Sequence, residues 1–338
     1  MDFEFLKRTK ELHILILGDV MIDRYLSGKV SRISPEAPVP VVRLNHRDER
    51  MGGAGNVALN IKALGATPIL CSVLGTDENG ATFKGLMDEQ QLNTEGLSFS
   101  STRKTTVKTR VLADDQQLLR VDDEDTSPLS SEEEKNYIEN VQAILKNTRI
   151  DALLFQDYNK GVLTPKVIEY CIELAVAKNI PTIVDPKFRN FWAYKGVTLF
   201  KPNLKEIRQQ LPFPIEVNNE DLRKAASFIN EQLNNQISLI TLSEKGLFLF
   251  EKDGIDGIFP TKKRTVADVC GAGDTVISIV AIGLALNLPL ATIALLANTA
   301  GGLVCEKPGV VAIDAAQLLA NVDSPFPKAL ISPYEQRD

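Results

Sequence analysis

Short, unbroken apolar runs that end in a small or acidic residue, separated by helical patterns, constrain this chain more than any other feature. His13 to Leu17 (HILIL) is one such run and stops at Gly18-Asp19. A continuous apolar run marks a strand covered on both faces, as in a parallel sheet packed between helices. Similar runs recur at Ala152–Phe155, Thr182–Val184, Val197–Phe200 and Leu239–Leu242, with helical patterns such as Pro165–Lys178 and Asp221–Asn234 between them. The alternation predicts an α/β fold, a doubly wound and mostly parallel sheet with helices on both faces. Ligands of such sheets bind beyond the carboxyl ends of the strands, and the polar clusters of this chain fall there.

Two segments break the rhythm. Val39–Leu44 sits among Pro35, Pro38 and Pro40, and Thr105–Leu112 and Gln116–Val121 flank a turn at Ala113-Asp114-Asp115. Their β-branched content suggests antiparallel strands. They predict a small β lid inserted at about residues 20–46 and 104–122 of a domain covering 1–326, with 327–338 as a tail. Its unpaired edges need cover, and a two-fold homodimer supplies it most simply. The acidic stretch Asp122–Glu134 reads as a solvated loop entering a helix. Val276–Leu290 reads as a buried helix, too short to span a membrane.

Composition excludes several functions. A net charge of −6 argues against general nucleic-acid binding, which needs a basic surface. His13 and His46 are the only histidines, so a His-rich metal site is not expected. Cys71, Cys171, Cys270 and Cys305 lie far apart without a CxxC pair and read as reduced thiols. The first residues hold no apolar core of signal-peptide length, so a cytoplasmic location is expected, with no membrane partner.

The chemistry is concentrated in Asp268-Val269-Cys270-Gly271-Ala272-Gly273-Asp274-Thr275, which leads into an apolar helical stretch. Small residues ahead of a helix expose backbone N–H groups to an anion, and the helix dipole adds to that field. A carboxylate beside a bound phosphate is repelled, so Asp274 needs a task there; deprotonating an attacking hydroxyl is one. The same residues also fit a glycine-rich turn capped by Asp. Far upstream, Gly52-Gly53-Ala54-Gly55-Asn56-Val57-Ala58 offers close backbone approach and an amide for a hydroxyl, or simply a loop. No G-x-x-x-x-G-K-[ST] run occurs, so a Walker-type site is not supported.

These two stretches, in this order, resemble the signatures of the ribokinase-like carbohydrate kinases, the PfkB family, and the likeness extends over nearly the whole chain. It implies ATP-dependent phosphorylation of a sugar hydroxyl, with Asp274 as base and Gly271, Ala272 and Gly273 lining the anion hole. On the sugar side it implies roles for Asp19, for Gly52, Gly53 and Asn56, and for Asp157 and Lys160 in Asp157-Tyr158-Asn159-Lys160-Gly161. On the nucleotide side, Lys187 would reach a phosphate. Asn203 and Glu206 would form an N-x-x-E motif steadying Mg²⁺ carried with ATP, with no permanent metal site. Ser243, Glu244 and Gly246 would lie along the nucleotide, and Asn298 would line the adenine pocket. Asn203 with Glu206 is equally the spacing of a helix capping box, and Asp19 equally suits a turn. One departure is Cys270, where many relatives carry Thr.

Within that family, Gly18–Tyr25, Ser31–Val42, Arg110-Val111-Leu112, Gln116–Arg120 and Asp122 look like the kinases of D-glycero-D-manno-heptose 7-phosphate. The likeness implies phosphoryl transfer to the anomeric hydroxyl, giving heptose 1,7-bisphosphate. A sugar phosphate needs fixed positive charge, for which Arg32, Arg110, Arg120 and Lys160 are candidates. Arg32 and Arg110 lead, because the prolines after Arg32 hold that segment rigidly and Arg110 lies on a second lid strand. Some relatives add an adenylyltransferase with an H-x-G-H motif, and neither histidine here belongs to one, so that activity is not expected on this chain. Kinases of other sugars and a silent sugar-binding protein remain the alternatives.

Overall fold

The computed structural model describes residues 4–113 and 116–322, so the expected turn at Asp114-Asp115 and the tail lie outside the described residues. Helix α1 (Glu4–Thr9) precedes β1 (His13–Gly18), whose surroundings explain why the apolar runs are unbroken. Ile14 and Ile16 pack into one core and Leu15 and Leu17 into another, on opposite faces of the sheet. Side chains alternate across a strand, so a strand between two helical layers must be apolar at every position.

From β1 the chain enters a long hairpin, β2 (Val20–Ile33) and β3 (Pro40–Gly53), then α2 (Ala54–Ala63) and β4 (Thr67–Gly75). Helix α3 (Glu78–Glu89) and β5 (Leu97–Ser100) lead to a second antiparallel pair, β6 (Val107–Ala113) and β7 (Gln116–Asp123). Next come α4 (Ser131–Asn147), β8 (Ala152–Gln156), α5 (Pro165–Ala177), β9 (Thr182–Asp185) and β10 (Leu199–Phe200). Helices α6 (Leu204–Gln210) and α7 (Asn219–Leu233) precede β11 (Ile237–Thr241), β12 (Leu247–Glu251) and β13 (Asp256–Phe259). Three helices close the described chain, α8 (Ala272–Ala285), α9 (Leu290–Val304) and α10 (Ala315–Asn321).

The main sheet has nine strands in the order β13-β12-β11-β10-β9-β8-β1-β4-β5. It is parallel from β11 through β5, with β12 and β13 as an antiparallel margin. Helices α2, α3, α8, α9 and α10 cover one face and α4, α5, α6 and α7 the other. The chain winds outward from β1 to β4 and β5, then returns to β8 on the far side of β1. The switch point therefore lies between β1 and β8, where such sheets bind ligands. Above it stands a four-stranded sheet, β3-β2-β6-β7.

Several elements differ from the expectation, each for a local reason. The strand expected at 197–200 shortens to β10 because the Thr198 N–H goes to the Thr182 hydroxyl and Pro202 has no N–H to give. The run 239–242 begins earlier, at Ile237, and ends before Leu242, which turns out of the ladder ahead of Ser243 at φ 55. The apolar stretch 276–290 is two helices, broken where Asn287 adopts φ 53 and Pro289 caps α9. Asp122 and Asp123 belong to β7, and α4 starts only at Ser131 behind a Ser130/Glu133 capping box. Among the described residues, no helix is long and apolar enough to cross a membrane.

Candidate active site

The carboxyl ends of β8 and β9 meet the first turn of α8, and Asp274 is buried there at 3% exposure. Three donors hold its carboxylate. Asn56 Nδ2 bonds one oxygen at 2.8 Å, while Gln156 Nε2 at 3.0 Å and Tyr158 Oη at 2.8 Å bond the other. Burial raises its pKa to about 6, and the nearby Asp185 adds to the rise, against the bonds from Asn56 and Tyr158 and the charge of Lys201. Such a group is ionised at neutral pH yet basic enough to accept a hydroxyl proton.

Gly271 caps α8 at φ 81, and a Cβ there would come 2.8 Å from Asn56 Nδ2. Both the conformation and the space demand glycine. The Ala272 N–H turns back to the Val269 carbonyl at 3.4 Å, so it is not aimed outward as expected. The amides of Gly273 and Asp274, in the first turn, lack an intrahelical acceptor by helix geometry. Beside Gly273 lies an ion pair that the sequence reading missed, Lys201 with Asp185 at 3.0 Å. Lys201 is 2% exposed. Its position directly after a buried strand was the available signal.

Lys187 sits 2.7 Å from Glu206 and 4.0 Å from Asp185. Burial opposes its charge, but those two carboxylates hold its pKa well above the ordinary lysine range. Asn203 and Glu206 form a reciprocal capping box at 2.8 and 2.9 Å, and Glu206 turns its other oxygen to Lys187. The capping geometry and a place beside the cationic cluster thus coexist in one residue. Ser243 and Glu244 are exposed past the end of β11, whereas Gly246, at φ 97, makes the turn into β12. Asn298 donates to the carbonyls of Phe259 and Pro260 at 3.2 and 2.9 Å, tying β13 to α9 rather than leaving its amide free for a base.

Of the residues expected on the sugar side, three are held by bonds within the protein and one stands apart from the base. Both oxygens of Asp19 accept backbone N–H groups, from Tyr158 and Lys160 on one and Val162 on the other, at 2.8 to 3.1 Å. Fully buried, it folds the 158–162 loop. Asp157 is likewise engaged, by the Asn159 amide, Asn190 and Tyr194. Burial and the neighbouring Asp19 push its pKa up to about 6. Asn56 lies at the centre, but its amide bonds Asp274 instead of standing free for a sugar hydroxyl. Arg32 is exposed near the hairpin tip, on the order of 40 Å along the strand from Val20 at about 3.3 Å per residue. That is far from Asp274 of the same chain.

Gly52 and Gly53 are the end of β3 rather than a loop. A Cβ on Gly52 would fall 2.1 Å from Asp23 Oδ2, and Gly53, at φ 60, packs against the Asp19 carbonyl. Asp23, 4% exposed, pairs with Arg110, whose guanidinium also lies 5.3 Å from the Tyr25 ring centre. Lys160 pairs with Glu124 at 2.6 Å. Cys270 stays a thiol, since burial and then Asp268 push its pKa up to about 11.

A carboxylate buried at a helix N-terminus, flanked by cations at the mouth of a doubly wound sheet, is an arrangement suited to phosphoryl transfer, on a ribokinase-like scaffold. Residues 11–316 match the description pfkB family carbohydrate kinase, and the chain belongs to that family: it is a sugar kinase. "Bifunctional protein HldE" of Syntrophotalea carbinolica is 40% identical over 93% of this chain, which spans 64% of that protein's length. The protein of the same name from Trichlorobacter lovleyi is 42% identical over 94% of this chain, again across 64% of its own length. The fold is that of Escherichia coli phosphofructokinase-2 in complex with substrates and products, with a TM-score of 0.75 at 18% identity, covering 92% of this chain and 99% of that one.

Proposed function

We propose that the chain transfers the γ-phosphoryl group of ATP to the anomeric hydroxyl of D-glycero-D-manno-heptose 7-phosphate. The observation that carries the phosphoryl-transfer chemistry is Asp274, buried among three donors with a pKa of about 6. In this reading it takes the hydroxyl proton as the sugar oxygen bonds to the γ-phosphorus. The bond from that phosphorus to the bridging oxygen breaks, and ADP leaves. Charge on the transferred group would be met by the first amides of α8, by Lys201 and by Lys187. The hard oxygens of Glu206 and Asp185 suit Mg²⁺ arriving with the nucleotide, which would neutralise phosphate charge. The heptose assignment is supported by the resemblance of 18–25 and 31–42 to heptose 7-phosphate kinases and by relatives named HldE.

The reading also includes a cytoplasmic location, where ATP is available, and a homodimer joined through the small sheet. The test is a competition among heptose 7-phosphate, free heptose, fructose 1-phosphate, fructose 6-phosphate and ribose, following ADP release. Heptose 7-phosphate is expected to give the highest kcat/KM. A higher value for any other sugar removes the heptose assignment and leaves the sugar kinase standing.

A further inference from the structure

On the wall of the site formed by the small sheet, Lys108 faces carboxylates that other cations already engage. Asp23, Asp122 and Glu124 are the acids acting on Lys108. Each already has its own cation: Asp23 pairs with Arg110, Asp122 with Arg120 at 2.9 Å, and Glu124 with Lys160 at 2.6 Å. Lys108 is left without a carboxylate of its own among these three. Among the described residues it makes no ion pair, although it is half-buried. Burial, and then the like charge of Lys160, hold its pKa below the ordinary lysine range. An ammonium taken from water without a partner is unfavourable, so the arrangement suits an anion brought from outside.

The position of Lys108 says which portion of a substrate that anion would be. Lys108 and Arg110 are two apart on β6 and share one face of the strand. Arg110 places that face over Asp23 and the Tyr25 ring. The Lys108 ammonium lies 5.6 Å from the centre of the Tyr158 ring, whose hydroxyl bonds Asp274 at 2.8 Å. One aromatic ring and a contact at each end separate that ammonium from the base. That is the reach of a sugar carrying a phosphate far from its reacting hydroxyl.

We propose that Lys108 binds the phosphate already present on the sugar and thereby selects phosphorylated over free sugar. This rests on the reading of the substrate as a sugar phosphate. Arg110 orients rather than supplies the charge, because Asp23 neutralises it.

The test uses the full chain as Lys108→Met and Lys108→Arg beside the unchanged protein. KM and kcat are measured for heptose 7-phosphate and for free heptose. Lys108→Met is expected to raise KM for the phosphorylated sugar by ~10- to 100-fold, the weight of a charge-assisted contact to phosphate. Its KM for ATP and its kcat/KM for free heptose should stay within about twofold, and Lys108→Arg should restore most of the loss. An unchanged preference in Lys108→Met overturns the proposal, as does an equal loss for both sugars. If the unchanged protein prefers another sugar phosphate, the heptose assignment falls and the same comparison on that sugar decides Lys108. If it prefers no phosphorylated sugar at all, both fall.

Discussion

At the scale of single residues, the donors around Asp274 would set its strength in the proposed role of base. A protonated carboxyl cannot accept the hydroxyl proton. With a pKa of about 6, kcat/KM should therefore be flat near neutrality and fall about tenfold per unit once the pH drops below that value. Asp274→Asn should lose at least ~10²-fold in turnover at about pH 7.5 while still binding ATP; near-normal turnover would remove Asp274 from the mechanism. The Tyr158 hydroxyl donates to the ionised carboxylate and so lowers its pKa. Tyr158→Phe deletes that bond, raises the pKa further and should move the acid limb to higher pH, by roughly one unit. A limb that stays in place, measured as kcat/KM from about pH 5 to 8, would show that the hydroxyl does not act on the base.

At the scale of elements, the main sheet was legible, and the small one was legible in β3, β6 and β7 but not in β2, for a physical reason. The strands β1, β8 and β9 are buried on both faces, so every residue reports the core, and their runs were visible directly. β2 is buried only over Val20–Asp23 and then half-exposed or exposed to its tip; its long polar stretch hides a strand that hydrogen bonds alone reveal. The same distinction separates the site residues. Asp274 and Gly271 announce themselves through local sequence, whereas Gln156 and Lys201 act only because the sheet brings strand ends together. Gly52 shows what the hairpin demands. Its Cβ would collide with Asp23, which is held by Arg110 under the sheet. Gly52→Ala should lose about 1–3 kcal/mol of stability through overpacking and raise the sugar KM by displacing Asp23. Gly85, on α3 with open space around its Cα, should instead gain roughly 0.5–1 kcal/mol as Ala. Thermal melts of both variants check the pair. Equal melting temperatures would mean that the β3 end yields freely.

At the scale of the whole molecule, a single chain leaves the small sheet unfinished. All eight residues of the edge strand β7 are exposed. Leu119 and Val121 on it stand 56% and 49% open, and Ile33, Val39 and Leu44 on the hairpin 60%, 51% and 53%. A long edge with apolar side chains invites pairing, and native proteins cover such edges or charge them. β7 carries Arg120, Asp122 and Asp123, charges that restrict partners without hiding the apolar residues. A second copy offers the same edge and the same patch, so a two-fold contact satisfies both at once. Light scattering at micromolar concentration should then give a dimer, and Leu119→Glu with Val121→Lys should give a folded monomer. Because β6 carries Lys108 and Arg110 and takes its hydrogen bonds from β7 on one side, losing the contact should loosen the wall over the sugar. The monomeric variant is expected to bind ATP normally and to show a KM for sugar raised several-fold. A wild-type monomer would remove the interface, and a monomeric variant with unchanged sugar KM would show that the sheet holds its shape without a partner.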